Sequence, residues 1–243
     1  MLKLPDVTLV MIETLEYELA SLAIRDCLNK AEFGDVLIFT DQPEKFQIRG
    51  PRYVKVENWP NKLGWSQCSW YDVPLCLKTS QALYIQWDSW IWDVEKWDPR
   101  FLDYDIIGAP WWYTDGKNVG NLGFSFRSTA ILKYLLRWRD KIPCAVHSDD
   151  DLLCRKYRRS IELDGFRWAP ESLAREFAFE CTRPSLTSRH FGFHGAFNFN
   201  EVLDHDALLE RARLIAKSPY IKRTGHIWNS VMAKYPEVMQ EVA

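Results

Sequence analysis

VTLVMIETLEYELASLAIRDCLNKAEFGDVLIFT, residues 7–40, is the stretch of sequence that decides the fold. Residues 7–12 and 35–40 are continuous apolar runs, which are typical of strands buried on both faces of a parallel sheet. Between them, apolar residues recur at helical spacing and predict an amphipathic helix that ends near Lys30. These residues are Leu15, Leu19, Leu22, Ala23 and Cys27. The stretch therefore predicts a β-α-β unit with a right-handed crossover between parallel strands.

The same alternation continues along the chain. Further strands are predicted at residues 53–56, 82–87, 105–108 and 123–127. Further helices are predicted at residues 65–78 (with a kink or restart at Pro74), 129–138, 150–158, 206–216 and 226–235. Without a linker or an internal repeat, the pattern predicts one α/β domain over residues 1–243, with a mostly parallel central sheet and helices on both faces.

Composition limits the possible partners and location. The chain has 243 residues and a net charge of -2, so general electrostatic attraction to nucleic acid is not expected. Its six cysteines are scattered, which favours free thiols in a reducing compartment. The amino terminus lacks the features of a signal peptide, and no apolar run has transmembrane length. We therefore expect a soluble, cytoplasmic protein without a transmembrane segment.

The carboxyl ends of the predicted strands carry polar residues. In open α/β sheets the ligand crevice lies beyond these ends, which here directs attention to Glu13, Thr14, Asp41, Asp88 and residues 110–121. Asp88, within QWDS (86–89), fits either a ligand of a divalent cation or the N-cap of a following helix.

Three other segments could carry chemistry. VGNLGFSFR (119–127) has two glycines before a strand and fits either a close approach to a ligand or an ordinary turn. HSDDD (147–151) places three carboxylates at a helix start, either as a capping cluster or as a source of a general base. FGFHGA (191–196) holds His194, a metal ligand only if the segment folds back to the Asp88 strand end.

Taken in order, these four motifs resemble the GT-A class of glycosyltransferases, and in particular a domain-of-unknown-function family placed in that class. The resemblance covers roughly residues 7–197 and implies a GT-A-like (Rossmann-like) domain. It also implies a nucleotide-diphosphate sugar donor, a Mn²⁺ or Mg²⁺ ion, and a carbohydrate or other hydroxyl acceptor. A modified nucleobase as acceptor stays possible.

The resemblance also implies roles for single residues. Asp88 and His194 would be metal ligands, and Asp150 or Asp149 would be the base that deprotonates the acceptor. A base on the acceptor side would give inversion at the anomeric carbon; retention of configuration is the alternative. Trp111 and Trp112 are candidates for stacking on the acceptor. The implied donor-binding residues are Thr14, Asp41, Gln86, Trp87, Asp88, Asn121, Gly123 and Arg127.

The sequence departs from the GT-A pattern at three places. The first carboxylate of the usual Asp-x-Asp is Gln86, the glycine loop has Leu122, and the usual Glu-Asp pair reads Asp149-Asp150. Two alternative functions therefore stay open. One is a non-catalytic carbohydrate-binding protein, which would explain Gln86. The other is a nucleotidyltransferase, although its usual basic, glycine-rich phosphate loop is not found at residues 13–16.

Overall fold

The computed structural model describes residues 1–46, 48–58, 62–142, 144, 149–181 and 190–218. Its strands are β1 (Leu2–Ile12), β2 (Ala31–Thr40), β3 (Arg52–Lys55), β4 (Gln81–Ile85), β5 (Ser89–Ile91), β6 (Ile106–Pro110), β7 (Val119–Ser128), β8 (Ala178–Phe179) and β9 (Gly192–His194). Its α-helices are α1 (Tyr17–Leu28), α2 (Lys62–Gln67), α3 (Val73–Cys76), α4 (Thr129–Arg137), α5 (Asp149–Asp151), α6 (Arg158–Leu163), α7 (Glu171–Phe177), α8 (Phe199–Val202) and α9 (His205–Lys217).

The central sheet has six strands in the order β3-β2-β1-β4-β7-β6. β1 pairs in parallel with β2 and β4, and β2 pairs in parallel with β3. β7 runs antiparallel to both of its neighbours, so it alone opposes the other five strands. The prediction of an α/β fold with a mostly parallel sheet is confirmed.

β7 is longer than the sequence pattern predicted. Residues 119–121 were expected to form a loop before the strand, but they already pair with β6. Register explains the difference: Gly108 pairs with Ser125 and the next residue, Ala109, pairs with Asn121. Residues 122–124 therefore bulge away from β6, while Phe124 still pairs with Ile85 of β4.

Helices cover both faces of the central sheet. One face packs against α1, α7 and α9, and the other against the 62–76 segment, α4 and the 149–163 segment. As predicted, residues 65–78 are mainly helical and Pro74 lies in the first turn of a restarted helix, α3. A π-helical turn (Cys68–Asp72) separates α2 from α3, and another (Leu152–Lys156) separates α5 from α6. The predicted helix at 226–235 lies outside the described residues.

A second, smaller sheet packs on the α1 face. Its strand order is β5-β9-β8, and Ser89 of β5 pairs with His194 of β9. Aromatic rings fill the space beneath it: Trp90 and Phe193 pack edge to face with centroids 4.6 Å apart. This sheet connects the chain just after β4 to a segment more than one hundred residues later.

All six cysteines are free thiols, as predicted. Within the described ranges, no helix combines the length and apolar character needed to cross a bilayer.

A buried ion pair joins β7 to the helices on the second face. The Arg127 side chain is fully buried, and its Nη1 donates to Ser69 Oγ at 2.9 Å and to Asp149 Oδ2 at 3.0 Å. Its Nη2 donates to the carbonyl of Leu122 at 3.1 Å, and its guanidinium lies over the Tyr84 ring at 3.9 Å. One side chain therefore donates a hydrogen bond to a carbonyl in the bulge of β7 and, through Asp149, holds the start of α5 in place.

We expect Arg127→Met to lower the free energy of unfolding by about 3–5 kcal/mol, because it leaves the Asp149 carboxylate buried without its partner. Urea unfolding measures the loss. As a control, Arg100→Met breaks an exposed ion pair with Asp98 and should leave the free energy of unfolding nearly unchanged, because solvent screens such pairs. The double variant Arg127→Met/Asp149→Asn should recover part of the loss; equal stability of the single and double variants would contradict the explanation.

Candidate functional site

The site lies at the carboxyl edge of the central sheet, where the strand order changes direction. From β1 the chain continues to β2 and β3 on one side, and then returns to place β4 on the other side of β1. A crevice opens between strands at such a switch point. The residues after β1 and after β4 line the two sides of this crevice.

The ends of β1 and β2 are joined by a polar network. The Tyr17 hydroxyl lies 2.8 Å from Asp41 Oδ1 and 2.7 Å from the Thr14 carbonyl oxygen. Asn58 donates to the same carbonyl at 2.9 Å and to Asp41 Oδ2 at 3.1 Å. Burial alone would raise the pKa of Asp41, but its hydrogen bonds outweigh burial and lower the pKa. Asp41 is thus held as a carboxylate beside Thr14.

Glu13 closes the turn that follows β1. Its Oε1 accepts the backbone N–H groups of Thr14, Leu15 and Glu16 at 2.9, 2.8 and 3.1 Å. Burial raises the pKa of Glu13 to about 7, although these three donors act in the opposite direction. The residue fixes the path of the backbone into α1.

Asp88 does not cap a helix, so that interpretation of its position is wrong. After β4 the chain makes a tight turn, in which the Ser89 N–H donates to the Gln86 carbonyl at 3.1 Å, and continues into β5. Asp88 is 6% exposed. Its Oδ2 accepts the Ala196 N–H at 3.2 Å, whereas its buried Oδ1 has no hydrogen-bond partner among the described residues.

His194 folds back to this strand end, the condition on which its functional interpretation depended. Its Nε2 lies 3.2 Å from Gln86 Oε1 and 3.5 Å from Asp88 Oδ1, and its Nδ1 lies 3.0 Å from Glu180 Oε1. Burial lowers the pKa of His194, but the carboxylates of Asp88 and Glu180 outweigh burial and raise it to about 10. The imidazole is therefore positively charged between two acids.

The three donor atoms fit a divalent cation. Ligands of Mg²⁺ lie about 2.0–2.1 Å from the ion, so two adjacent ligands are about 3 Å apart. The distances from His194 Nε2 to Gln86 Oε1 and to Asp88 Oδ1, 3.2 and 3.5 Å, are close to this spacing. A ligating histidine commonly donates its other N–H to a carboxylate, as Nδ1 does to Glu180. Binding requires His194 to lose its Nε2 proton.

The amide is essential to this arrangement. Within the described part of the chain, no group of three or more histidine, cysteine, aspartate and glutamate side chains is placed to hold a metal ion. The third donor is Gln86, which stands where the Asp-x-Asp pattern has its first carboxylate.

Gly123 makes room for His194. A Cβ atom at this position would lie 2.2 Å from His194 Nε2, so the position of the imidazole requires a glycine here. The approach of this backbone to a donor sugar stays a prediction. Asn121 supports the imidazole: its Oδ1 accepts the Gly123 N–H at 3.3 Å, and its side chain is a hydrogen-bond partner of Glu180. Both residues therefore position the Gln86-Asp88-His194 cluster from beneath.

The two candidate bases differ in their surroundings. Asp149 is 7% exposed and paired with Arg127. Asp150, the next residue, is half-buried, and its Oδ1 accepts the Asp151 N–H at 3.1 Å. Arg127 itself is completely buried beneath them and offers no surface to a ligand. His147 and Ser148 of the same motif lie outside the described residues.

The tryptophans near the site divide between core and surface. Trp90 is core and Trp87 is half-buried against Phe199. Trp111 is 7% exposed and packs against Tyr113, whereas Trp112 is 62% exposed. Of the two predicted acceptor residues, only Trp112 presents a broad free surface.

Sequence reasoning missed three residues that the structure brings to the edge. Glu180 orients His194, Asn58 binds the Thr14 carbonyl, and Trp65 donates from Nε1 to the Ile12 carbonyl at 3.0 Å. Glu180 directly follows a two-residue strand, β8, which is too short for a periodic pattern, so no local signal marks it. For Trp65, the sequence pattern predicts a position in a helix and no contact with β1.

The fold and the site define an α/β protein whose polar residues gather at the carboxyl edge of a mostly parallel sheet. The chain belongs to the family described as Protein of unknown function (DUF5672), whose model matches residues 53–194. This match spans more than half of the chain and includes the QWDS turn, β7 and the segment up to His194. No curated protein matches the chain.

We expect Gly123→Ala to displace the His194 ring, because the added methyl group overlaps it. The measurement is NMR of the imidazole signals, in which those of His194 should shift while those of other histidines stay. Gly120→Ala is the matched control, since its Cβ meets Cys154 on the other face of the same strand. Unchanged His194 signals in a folded Gly123→Ala protein would contradict the close approach.

Glu13 should make stability depend on pH. A folded-state pKa raised to about 7 from 4.5 means that the folded protein holds this proton more tightly than the unfolded chain. The free energy of unfolding therefore falls as pH rises from about 4.5 to about 7. Urea unfolding at pH 5 and pH 7.5 should show a larger fall for the native protein than for Glu13→Gln; parallel pH profiles would refute the assignment.

Proposed function

We propose that this protein is a glycosyltransferase that moves a sugar from a nucleotide-diphosphate donor to an acceptor hydroxyl with the help of Mn²⁺ or Mg²⁺. The observation that carries the proposal is the convergence of Gln86, Asp88 and His194 at the carboxyl end of β4, where Asp88 Oδ1 is buried and its one described neighbour of opposite charge is His194 Nε2, 3.5 Å away. The resemblance of the four motifs to GT-A enzymes supports the same conclusion.

The nucleotide would bind beyond β1 and β2. Here Thr14, Asp41 and Asn58 supply carbonyl, carboxylate and amide groups already held in one network. Such groups bind the hydroxyl and N–H groups of a nucleoside. The half-buried ring of Trp65 lies in the same region, between the Ile12 carbonyl and Arg127.

The diphosphate would then lie beside the Gln86-Asp88-His194 cluster, across the switch point from the nucleotide residues. A bound divalent cation offsets the negative charge that gathers on the leaving diphosphate. Asp88 Oδ1, Gln86 Oε1 and His194 Nε2 would hold it, while Glu180 and Asn121 fix the ring and the bulge beneath it.

Asp150 is the proposed base. Asp149 is neutralised by Arg127, so we assign it a positioning role at the start of α5. The His194 segment and the 149–163 segment approach the sheet edge from opposite faces. Gly123 abuts His194 on one face, and Gly120 abuts Cys154 of the 149–163 segment on the other. A base on the face opposite to the cation favours in-line displacement with inversion.

The acceptor would meet an aromatic surface after β6. The Trp112 ring lies tilted against the Tyr113 ring, with centroids 5.4 Å apart. The Arg155 guanidinium lies over the Tyr113 ring at 3.7 Å. An ion pair with Asp115 holds Arg155 at 2.7 Å. Exposed aromatic faces of this kind suit the apolar face of a sugar ring or another planar acceptor.

The test is release of nucleotide from a panel of nucleotide sugars, measured with Mn²⁺, with Mg²⁺ and with chelator. We expect metal-dependent release from one donor. Asp88→Asn keeps the acceptor for the Ala196 N–H but removes the charge, and should lower the rate at least about 100-fold. Asp150→Asn should lower it by about 10²–10⁴-fold.

Asp103→Asn is the matched control, because it removes one carboxylate from an exposed position and should leave the rate unchanged. If no donor is turned over but the protein binds sugars, the non-catalytic carbohydrate-binding alternative replaces the proposal. Metal-independent turnover that survives Asp88→Asn would remove the role assigned to the cluster.

A further inference from the structure

A second cavity lies beside β6, at the end of the central sheet. It has a volume of about 430 Å³ and is lined by residues that include Tyr104, Asn118, Arg158, Trp168 and Glu171. The chain from Trp168 to Glu171 forms one wall, held to the strand by a bridge between Ile106 and Trp168 and by the Ala169 N–H donating to the Ile106 carbonyl. None of these lining residues belongs to the proposed donor site.

Arg158 is the unusual member of this lining. It is 8% exposed, and its only hydrogen bond within the described structure runs from Nε to Glu162 Oε1 at 2.8 Å. Nη1 is buried without a partner. The guanidinium is held in place by Glu162 on one side and by the Trp168 ring, 5.1 Å away, on another.

A buried arginine whose Nη1 lacks a hydrogen-bond acceptor is suited to binding an anion. Guanidinium groups present parallel N–H donors that match the two oxygens of a carboxylate or phosphate. A buried donor without an acceptor costs free energy, which a bound oxyanion would recover. Glu162 accepts from Nε, and within the described residues no hydrogen bond is formed by either terminal nitrogen of Arg158.

Glu171 is an acid that lines the cavity, but its negative charge does not oppose the binding of an anion. Glu171 is paired with Arg175 through Nε at 2.8 Å, and its hydrogen bonds to Asn118 and Arg175 lower its pKa. Its charge is therefore balanced by a cation of its own helix. Asn118, Tyr104 and the edge of Trp168 complete a lining of amide, hydroxyl and aromatic groups that suits a hydroxylated ring.

We infer that this cavity binds a small hydroxylated ligand that carries a carboxylate or a phosphate group, with Arg158 as the residue that recognises the anion. The site is separate from the proposed transfer chemistry and stands without it. The cavity would thus be a second ligand site, in addition to the donor site proposed at the carboxyl edge of the sheet.

The experiment is isothermal titration calorimetry of the full chain, without added metal or nucleotide, using glucuronate as the carboxylate probe and glucose 6-phosphate as the phosphate probe. Methyl glucoside serves as the neutral probe. We expect at least one anionic probe to bind, with the neutral probe at least tenfold weaker. The stronger of the two anionic probes identifies the source of the negative charge.

Arg158→Lys tests the recognising residue, because lysine keeps the charge beside Glu162 but lacks two parallel donors. It should weaken binding about 10- to 100-fold, and Arg158→Gln should weaken it further. Arg159→Lys and Arg159→Gln are matched controls at the adjacent exposed position and should bind as the native protein does.

Three results would overturn the inference: no heat from either anionic probe, equal affinity in the native and Arg158→Lys proteins, or an equal loss in the Arg159 variants. Binding that Asp88→Asn abolishes but Arg158→Lys leaves intact would place the ligand at the sheet edge, and would likewise exclude this cavity. Because no donor turnover enters the measurement, failure here leaves the proposed function untouched.

Discussion

The candidate site depends on the pairing of β5 with β9. This short antiparallel ladder places His194 opposite Ser89, and through it the imidazole meets Gln86 and Asp88. Without the pairing, Asp88 would be one carboxylate at a strand end, a position that sequence patterns equally assign to a helix cap. With it, Glu180, the residue after the adjacent strand β8, also reaches the ring. Backbone hydrogen bonds thus bring together side chains that are more than one hundred residues apart.

Most of the fold could be predicted from the sequence, because the buried carboxyl-terminal halves of β1 and β2 are mainly apolar and apolar residues in the helices recur every three to four residues. Residues 7–40 show this best, since both strands and the helix occur where the pattern placed them. The small sheet could not be predicted in this way. β8 has two residues and β5 and β9 three each, which is too short for any periodicity.

The site was predictable in its positions but not in its contacts. Strand-end rules indicated Thr14, Asp41 and Asp88, and the structure brings each to the expected edge. The roles of Gly123 and Arg127 follow instead from the bulge in β7, which depends on pairing with β6 and so has no local signature. Gly123 accommodates an imidazole from the other sheet. Arg127 donates to the Leu122 carbonyl of its own strand and pairs with Asp149 of α5. Both residues therefore support the site from buried positions in β7.

The long separation between the parts of the site has a consequence for synthesis on the ribosome. The strands β1 to β4 and their helices are complete by residue 85, so they can pair while most of the chain is still untranslated. The Gln86-Asp88-His194 cluster cannot form until β9 has left the exit tunnel. Until then the apolar underside of β5 and the charged end of β4 have no partner, a state in which newly made chains are prone to association. The last third of the chain thus completes the carboxyl edge of the sheet and covers the apolar side of β5.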